Sequence, residues 1–105
     1  MTRLTSVPSD ETSPINRCAV IGAGLVGGSI ALAATRAGFR VTVYDSDTAT
    51  ITKAQTKGLH IALSAADAVV DAAVIFLAVP VDAVISTAEQ IKNSLADGAL
   101  VTDVT

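Results

Sequence analysis

The chain has 105 residues, half of them apolar, with seven Lys and Arg against ten Asp and Glu. A net charge of −3 and a pI near 4.7 give no basic excess of the kind that nucleic-acid binding requires. One Cys and one His exclude a disulfide framework within the chain and a Cys-rich zinc module, so any metal site would rest on carboxylates.

The length predicts one domain. Residues 1–16 are rich in Ser, Thr and Pro without apolar periodicity and read as a disordered tail, leaving 17–105 as the folded unit. Cys18 to Ile21 form a short apolar run ending at Gly22, the first strand. Leu25 to Ala37 are helix formers closed by Gly38, and the segment is apolar nearly all round, which predicts a buried helix. Arg40 to Asp45 carry Val41, Val43 and Tyr44, the second strand. Ser46 or Asp47 can cap a helix that runs to about Lys57 and stops at Gly58. His60 to Leu63 read as a short third strand and Ala65 to Val70 as a short helix.

Ala72 to Val79 is an uninterrupted apolar run, the most strand-like of the chain, and Pro80 ends it at the first turn of a further helix. In that helix Val84, Ala88, Ile91 and Leu95 make one apolar stripe. Asp97-Gly98 is a turn before a last strand at Ala99 to Val104. Phe39, Tyr44 and Phe76 are the only aromatics, so the core rests on Val, Ile, Leu and Ala, which suits a parallel sheet buried on both faces. Strands alternating with helices predict an α/β, doubly wound parallel sheet of about five strands. Right-handed crossovers favour the order 3-2-1-4-5 in a single Rossmann domain.

Residues 18–35 carry no charge and reach the length of a membrane span. Their clustered glycines, and the change from β-branched to Ala/Leu-rich composition, fit a strand, a turn and a helix instead. No basic stretch leads a cleavable segment, so a cytoplasmic protein without membrane partners is expected.

Gly22-Ala23-Gly24-Leu25-Val26-Gly27 is G-x-G-x-x-G between a predicted strand and a predicted helix. Gly22 allows the turn, Gly24 lets a pyrophosphate approach the backbone, and Gly27 lets helix and strand pack closely. The free N–H groups of the helix start then face the phosphates. A Walker-type G-K-[ST] is absent. Asp45 ends the second strand 18 residues after Gly27. A carboxylate there accepts both ribose hydroxyls and repels a 2′-phosphate, and neighbouring Ser46 and Asp47 bring no cation. NAD is therefore favoured over NADP; FAD also fits this fingerprint. A plain tight turn, and a solvated or capping Asp45, are the structural alternatives.

His60, the sole imidazole, reads as structural or solvated rather than catalytic. Cys18 reads as a small buried apolar residue. Asp103, near the end of the last strand, is either functional or a strand-end carboxylate.

The stretch CAVIGAGLVGGSIALAATRAGFRVTVYD resembles the N-terminal nucleotide-binding domain of prephenate and arogenate dehydrogenases, including Gly28-Ser29 after the third glycine. AAVIFLAVPVDAV and ALVTDVT are similar to the same family's fourth strand with its proline loop and to the strand before its active site. The resemblance implies oxidative decarboxylation of prephenate or arogenate, with hydride passing to NAD, on the route to tyrosine. It implies that Gly22, Ala23, Gly24, Leu25, Val26 and Gly27 cradle the pyrophosphate and that Asp45, with Ser46 beside it, holds the ribose. Ala78, Val79 and Pro80 would border the cofactor, and Asp103 to Thr105 would lie near the nicotinamide.

The family's catalytic His, its substrate-binding Arg residues and its C-terminal helical dimerisation domain would all lie beyond Thr105. No catalytic residue is therefore assigned, and the chain alone is expected to be inactive. An apolar face left by that domain would favour a homodimer. The wider 6-phosphogluconate and 3-hydroxyisobutyrate dehydrogenase group shares the early glycines, and a non-catalytic nucleotide-binding module is the further alternative.

Overall fold

Alternate residues of a strand face opposite sides of its sheet, so a strand apolar at every position needs cover on both faces. The computed structural model describes residues 16–104 and supplies that cover. The chain runs β1 (Arg17–Ile21), α1 (Leu25–Arg36), β2 (Arg40–Tyr44), α2 (Thr48–Thr56), β3 (His60–Ile61), α3 (Ala65–Ala68), β4 (Val74–Leu77), α4 (Val84–Ile91) and β5 (Leu100–Asp103). Single 3-10 turns at Val81–Ala83 and Lys92–Ser94 flank α4. Every strand pair is parallel, and the order is β3-β2-β1-β4-β5, as expected from the alternation of elements.

Two apolar clusters lie on the two faces. Ala19, Ile21, Ile75 and Leu77 point to one side and meet Val69 and Ile91. Cys18, Val20, Val41 and Val43 point to the other and meet Ala31, Ala54 and Leu59. Helices α3 and α4 thus close one face, and α1 and α2 the other. Each fully buried Ile or Val contributes about 1.5–3 kcal/mol of transfer free energy. Val20, Val43 and Ile75 are completely inaccessible, so the sheet interior anchors the fold.

Several elements differ from the sequence expectation. Helix α1 is not buried all round: Gly27, Gly28 and Ala31 face inward, while Leu25 is 89 % exposed and Val26 55 %. The helix lies so close to the sheet that only the smallest residues fit beneath it. It also ends at Arg36, one residue before the expected Ala37.

Strand β4 is shorter than the apolar run that contains it. Asp71 takes a left-handed turn (φ 61°), and Ala72 and Ala73 lead in before regular pairing begins at Val74. Strand β3 has only two residues, because the chain turns through exposed Leu63 to Ser64. Ser64 caps α3 by accepting the Asp67 N–H at 3.0 Å. Helix α3 stops at Ala68 rather than Val70. The stretch 1–15 of the expected tail lies outside the described residues, as does Thr105. Asn16 is described and buried.

Among the described residues no helix is long and apolar enough to cross a membrane, and no group of three or more His, Cys, Asp or Glu could hold a metal ion.

Candidate functional site

Strand order reverses direction at β1, with β2 on one side and β4 on the other. The crossovers leave that point in opposite directions, which opens a crevice at the carboxyl ends of the strands. A cleft of about 310 Å³ lies there, lined by Ile21 and Gly22 after β1, Tyr44 to Ser46 after β2, Ala78 to Pro80 after β4, and Thr87 and Gln90 of α4. A second, more apolar cleft of about 290 Å³ lies across the glycine loop, between Gly24 to Gly27, Ala78 to Pro80 and Val104. The structure therefore brings Gly22, Asp45, Ser46, Ala78, Val79 and Pro80 together in one cleft. Gly24, Leu25, Val26 and Gly27 line the other. Ala23 joins the two by donating its backbone N–H to the Asp45 carboxylate at 2.7 Å.

The glycines have separate physical reasons. Gly22 holds φ +98°, a left-handed value that side-chain-bearing residues rarely adopt, and its N–H donates to the Tyr44 carbonyl at 2.8 Å. A Cβ on Gly22 would also strike the Ala78 carbonyl. A Cβ on Gly27 would strike the Gly22 carbonyl oxygen. These two glycines let β1, α1 and the end of β4 approach one another.

Gly24 is different: a Cβ there would meet nothing within 4 Å. It occupies the N-cap of α1 without a side-chain cap. No acidic residue stands in the first turn of α1. The first-turn N–H groups have no intrahelical partner, and the helix dipole adds positive potential. Open space in front of an uncapped helix start fits a dinucleotide's phosphates.

Asp45 is tied to the loop before any ligand arrives. Its Oδ2 accepts the Ala23 N–H at 2.7 Å and its Oδ1 accepts the Asp47 N–H at 2.8 Å. Each carboxylate oxygen keeps a further lone pair for an incoming hydroxyl. The carboxylate is partly buried at the rim of the first cleft, close to Tyr44 and Ser46.

The other sequence candidates fall elsewhere. His60 is exposed at the amino end of β3, away from the carboxyl edge, in a groove with Phe39 and Arg40. Cys18 is 5 % exposed inside β1, and burial pushes its thiol up to about 11. Asp103 ends β5 opposite Leu77 and is exposed at that edge. Tyr44, Thr87, Gln90 and Val104 line the clefts and were missed. Thr87 and Gln90 share one side of α4 with Ala83 at helical spacing, a signal that the apolar stripe of the same helix obscured.

Comparison with known proteins fits this geometry. The Synechocystis arogenate dehydrogenase structure is 28 % identical over 85 % of this chain and 32 % of its own, with a TM-score of 0.77. A Myxococcus stipitatus imine reductase, solved in complex with NADP+, is 26 % identical over 85 % of this chain and 32 % of its own, with a TM-score of 0.74. Its V8 variant is solved with NAD+. The Mycobacterium tuberculosis 3-hydroxyisobutyrate dehydrogenase shares the fold at 22 % identity and a TM-score of 0.79, over 85 % of this chain and 31 % of its own.

The chain thus spans about a third of the length of these proteins. No curated protein sequence matches. Residues 17–105 match the family described as NADP oxidoreductase, coenzyme F420-dependent, and the chain belongs to that family as an NAD(P)-binding Rossmann domain of the oxidoreductase type.

Proposed function

We propose that this chain is the NAD-binding domain of a dehydrogenase of the prephenate and arogenate type. Bound NAD supplies a hydride acceptor. The chain's own part is to bind and orient. Gly22, Ala23, Gly24, Leu25, Val26 and Gly27 carry the turn and helix start that hold the pyrophosphate. Asp45 accepts the two ribose hydroxyls, with Ser46 beside it. Ala78, Val79 and Pro80 form the wall where β4 ends, between the two clefts.

The observation that carries the reading is the Asp45 carboxylate, fixed at the carboxyl end of β2 by the Ala23 and Asp47 N–H groups. Held there, it favours a ribose diol over a phosphate. The arogenate dehydrogenase likeness at 28 % identity supports the substrate class, which concerns a whole protein about three times longer than this chain. Oxidative decarboxylation, tyrosine biosynthesis and a helical dimerisation domain all rest on that likeness.

A second reading, an NADP-linked enzyme, is favoured by the family's description and by the imine reductase bound to NADP+. The absence of Lys and Arg from positions 45–47 weighs against it. Isothermal titration with NAD and NADP separates the two. NAD is expected to bind more tightly, and Asp45→Ala to weaken it by about 10- to 100-fold, the value of a charged hydrogen-bond acceptor. Tighter binding of NADP by the parent would reverse the cofactor assignment.

A further inference from the structure

A hydroxyl inside a helix has a ready acceptor in the carbonyl three or four residues back. Ser29, Thr35 and Thr52 each donate to the carbonyl four residues earlier, and Thr56 and Ser86 to the one three earlier, at 2.6–3.1 Å. Thr50 gives its hydroxyl and its N–H to the Asp47 carboxylate that caps α2, at 2.7 and 3.0 Å. Thr87 of α4 breaks the pattern. It is only 7 % exposed, and among the described residues its hydroxyl has no hydrogen-bond partner.

A buried hydroxyl without a partner destabilises the folded chain. Thr87 lines the cleft at the carboxyl ends of β1, β2 and β4. Gln90 lines it too, three residues further along α4 and so on the same face of the helix. Its exposed carboxamide also has no partner among the described residues.

Among the described residues Asp45 is the only charged side chain that lines this cleft. The walls away from it include Ala65, Val79 and Ala83, with the two neutral polar groups of α4. Such a space suits a flat, uncharged group with a polar edge. If Asp45 holds the ribose, the ligand's own connectivity supplies that group. The phosphate leaves the ribose at one end, towards the glycine loop, and the base leaves at the other. The base then enters the part of the cleft walled by α4. The edge of adenine sets a donor amine beside ring-nitrogen acceptors. A carboxamide offers an acceptor and a donor side by side, and a hydroxyl can act as either.

We propose that Thr87 and Gln90 are base-recognition residues that bind the polar edge of the dinucleotide's adenine. The proposal rests on the reading of Asp45 as the ribose ligand. The Thr87 hydroxyl is unpaired in the free chain and becomes paired on binding, so it lowers stability and raises affinity.

The test is isothermal titration of the full chain with NAD and with AMP, together with thermal melts of the free protein. Thr87→Val removes the hydroxyl at nearly constant volume. It is expected to weaken NAD and AMP alike by about five- to tenfold, the value of one neutral hydrogen bond, while Tm holds or rises. Thr87→Ser keeps the hydroxyl and is expected to bind within about threefold of the parent. Gln90→Met, at an exposed position, is expected to lose affinity by a similar factor to Thr87→Val with Tm unchanged.

A clear fall in Tm for Thr87→Val would show its hydroxyl to be paired in the free chain, which overturns the proposal. Weakened NAD with unchanged AMP would take the contact away from the adenosine half, with the same result. If the parent binds NAD, Asp45→Ala weakens it, and Thr87→Val and Gln90→Met both stay within about twofold, the base contacts are overturned and the ribose reading stands. If the parent binds neither NAD nor AMP, both readings fall together.

Discussion

Two single substitutions separate the packing glycines of the loop from the binding glycine. In Gly27→Ala the new Cβ lands on the Gly22 carbonyl oxygen and lies 3.1 Å from the Ala78 Cβ. These obstacles are backbone and Cβ atoms, so no rotamer change relieves them and the start of α1 must lift off the sheet. Overpacking usually costs about 1–3 kcal/mol when side chains can yield. With backbone as the obstacle, the upper end is expected, about 3 kcal/mol, or a drop of roughly 12–24 °C in Tm for a domain of this size.

Gly24→Ala is the opposite case. Gly24 has φ −70° and ψ −155°, open to any residue, and its Cβ meets nothing within 4 Å. Ala is a poorer N-cap than Gly, so a loss of about 0.5–1 kcal/mol is expected, a few degrees in Tm. The methyl nevertheless projects where the phosphates would approach, and NAD affinity is expected to fall at least about tenfold. Circular-dichroism melts and isothermal titration read the two effects. The reasoning fails if Gly27→Ala melts within a few degrees of the parent, or if Gly24→Ala binds NAD as the parent does.

Four further outcomes are expected. The Cys18 thiol, raised by burial to about 11, should resist iodoacetamide near pH 8 at least about 100-fold better than in the unfolded chain; alkylation at the unfolded rate would show β1 to be open. Because its ordinary value is 9.0, its contribution to stability is complete below that value and is lost as pH rises towards about 11, which denaturant melts across that range would detect. Asp47 has a depressed pKa, so its contribution is present above 3.8 and is lost on further acidification; acid titration of Asp47→Asn should show a flatter loss than the parent, and identical curves would remove the Thr50 contacts as the cause. Ile75→Ala, at a site with no exposure in the middle of β4, should cost about 2–5 kcal/mol in urea denaturation; a cost under about 1 kcal/mol would place Ile75 outside the core.

What the sequence revealed and what it hid follow from the range of the forces involved. The strand order was legible because alternating elements and crossover handedness leave few arrangements. The glycine loop and Asp45 were legible as residue types at a spacing. That they touch was not. The hydrogen bond from Ala23 to Asp45 spans 22 positions and depends on the β1–β2 register that sets Ile21 opposite Tyr44.

Helix α1 misled because its apolar outer residues look like core in a linear reading, whereas the close approach at Gly27 and Gly28 keeps them outside. The run from Ala72 to Val79 overstated β4 for a related reason: it continues past both ends of the strand, and hydropathy alone does not mark where pairing starts. Thr50 as the partner of Asp47 was within reach, since N-cap contacts fall at a fixed local spacing.

The central position of β1 has a consequence for how the chain reaches this structure. Ala19 pairs with Thr42 on one side and with Ile75 on the other, so the middle of the sheet closes only when segments far apart in sequence meet. Among the described residues no strand pair is a local hairpin, because every pairing is parallel. Loop closure must precede the reward of pairing, which slows folding relative to helical domains of equal length. Until β4 arrives, the apolar stretch from Cys18 to Ile21 has at most one neighbour and an open edge. Refolding at high protein concentration should therefore lose material to association between such edges, and dilution should recover it.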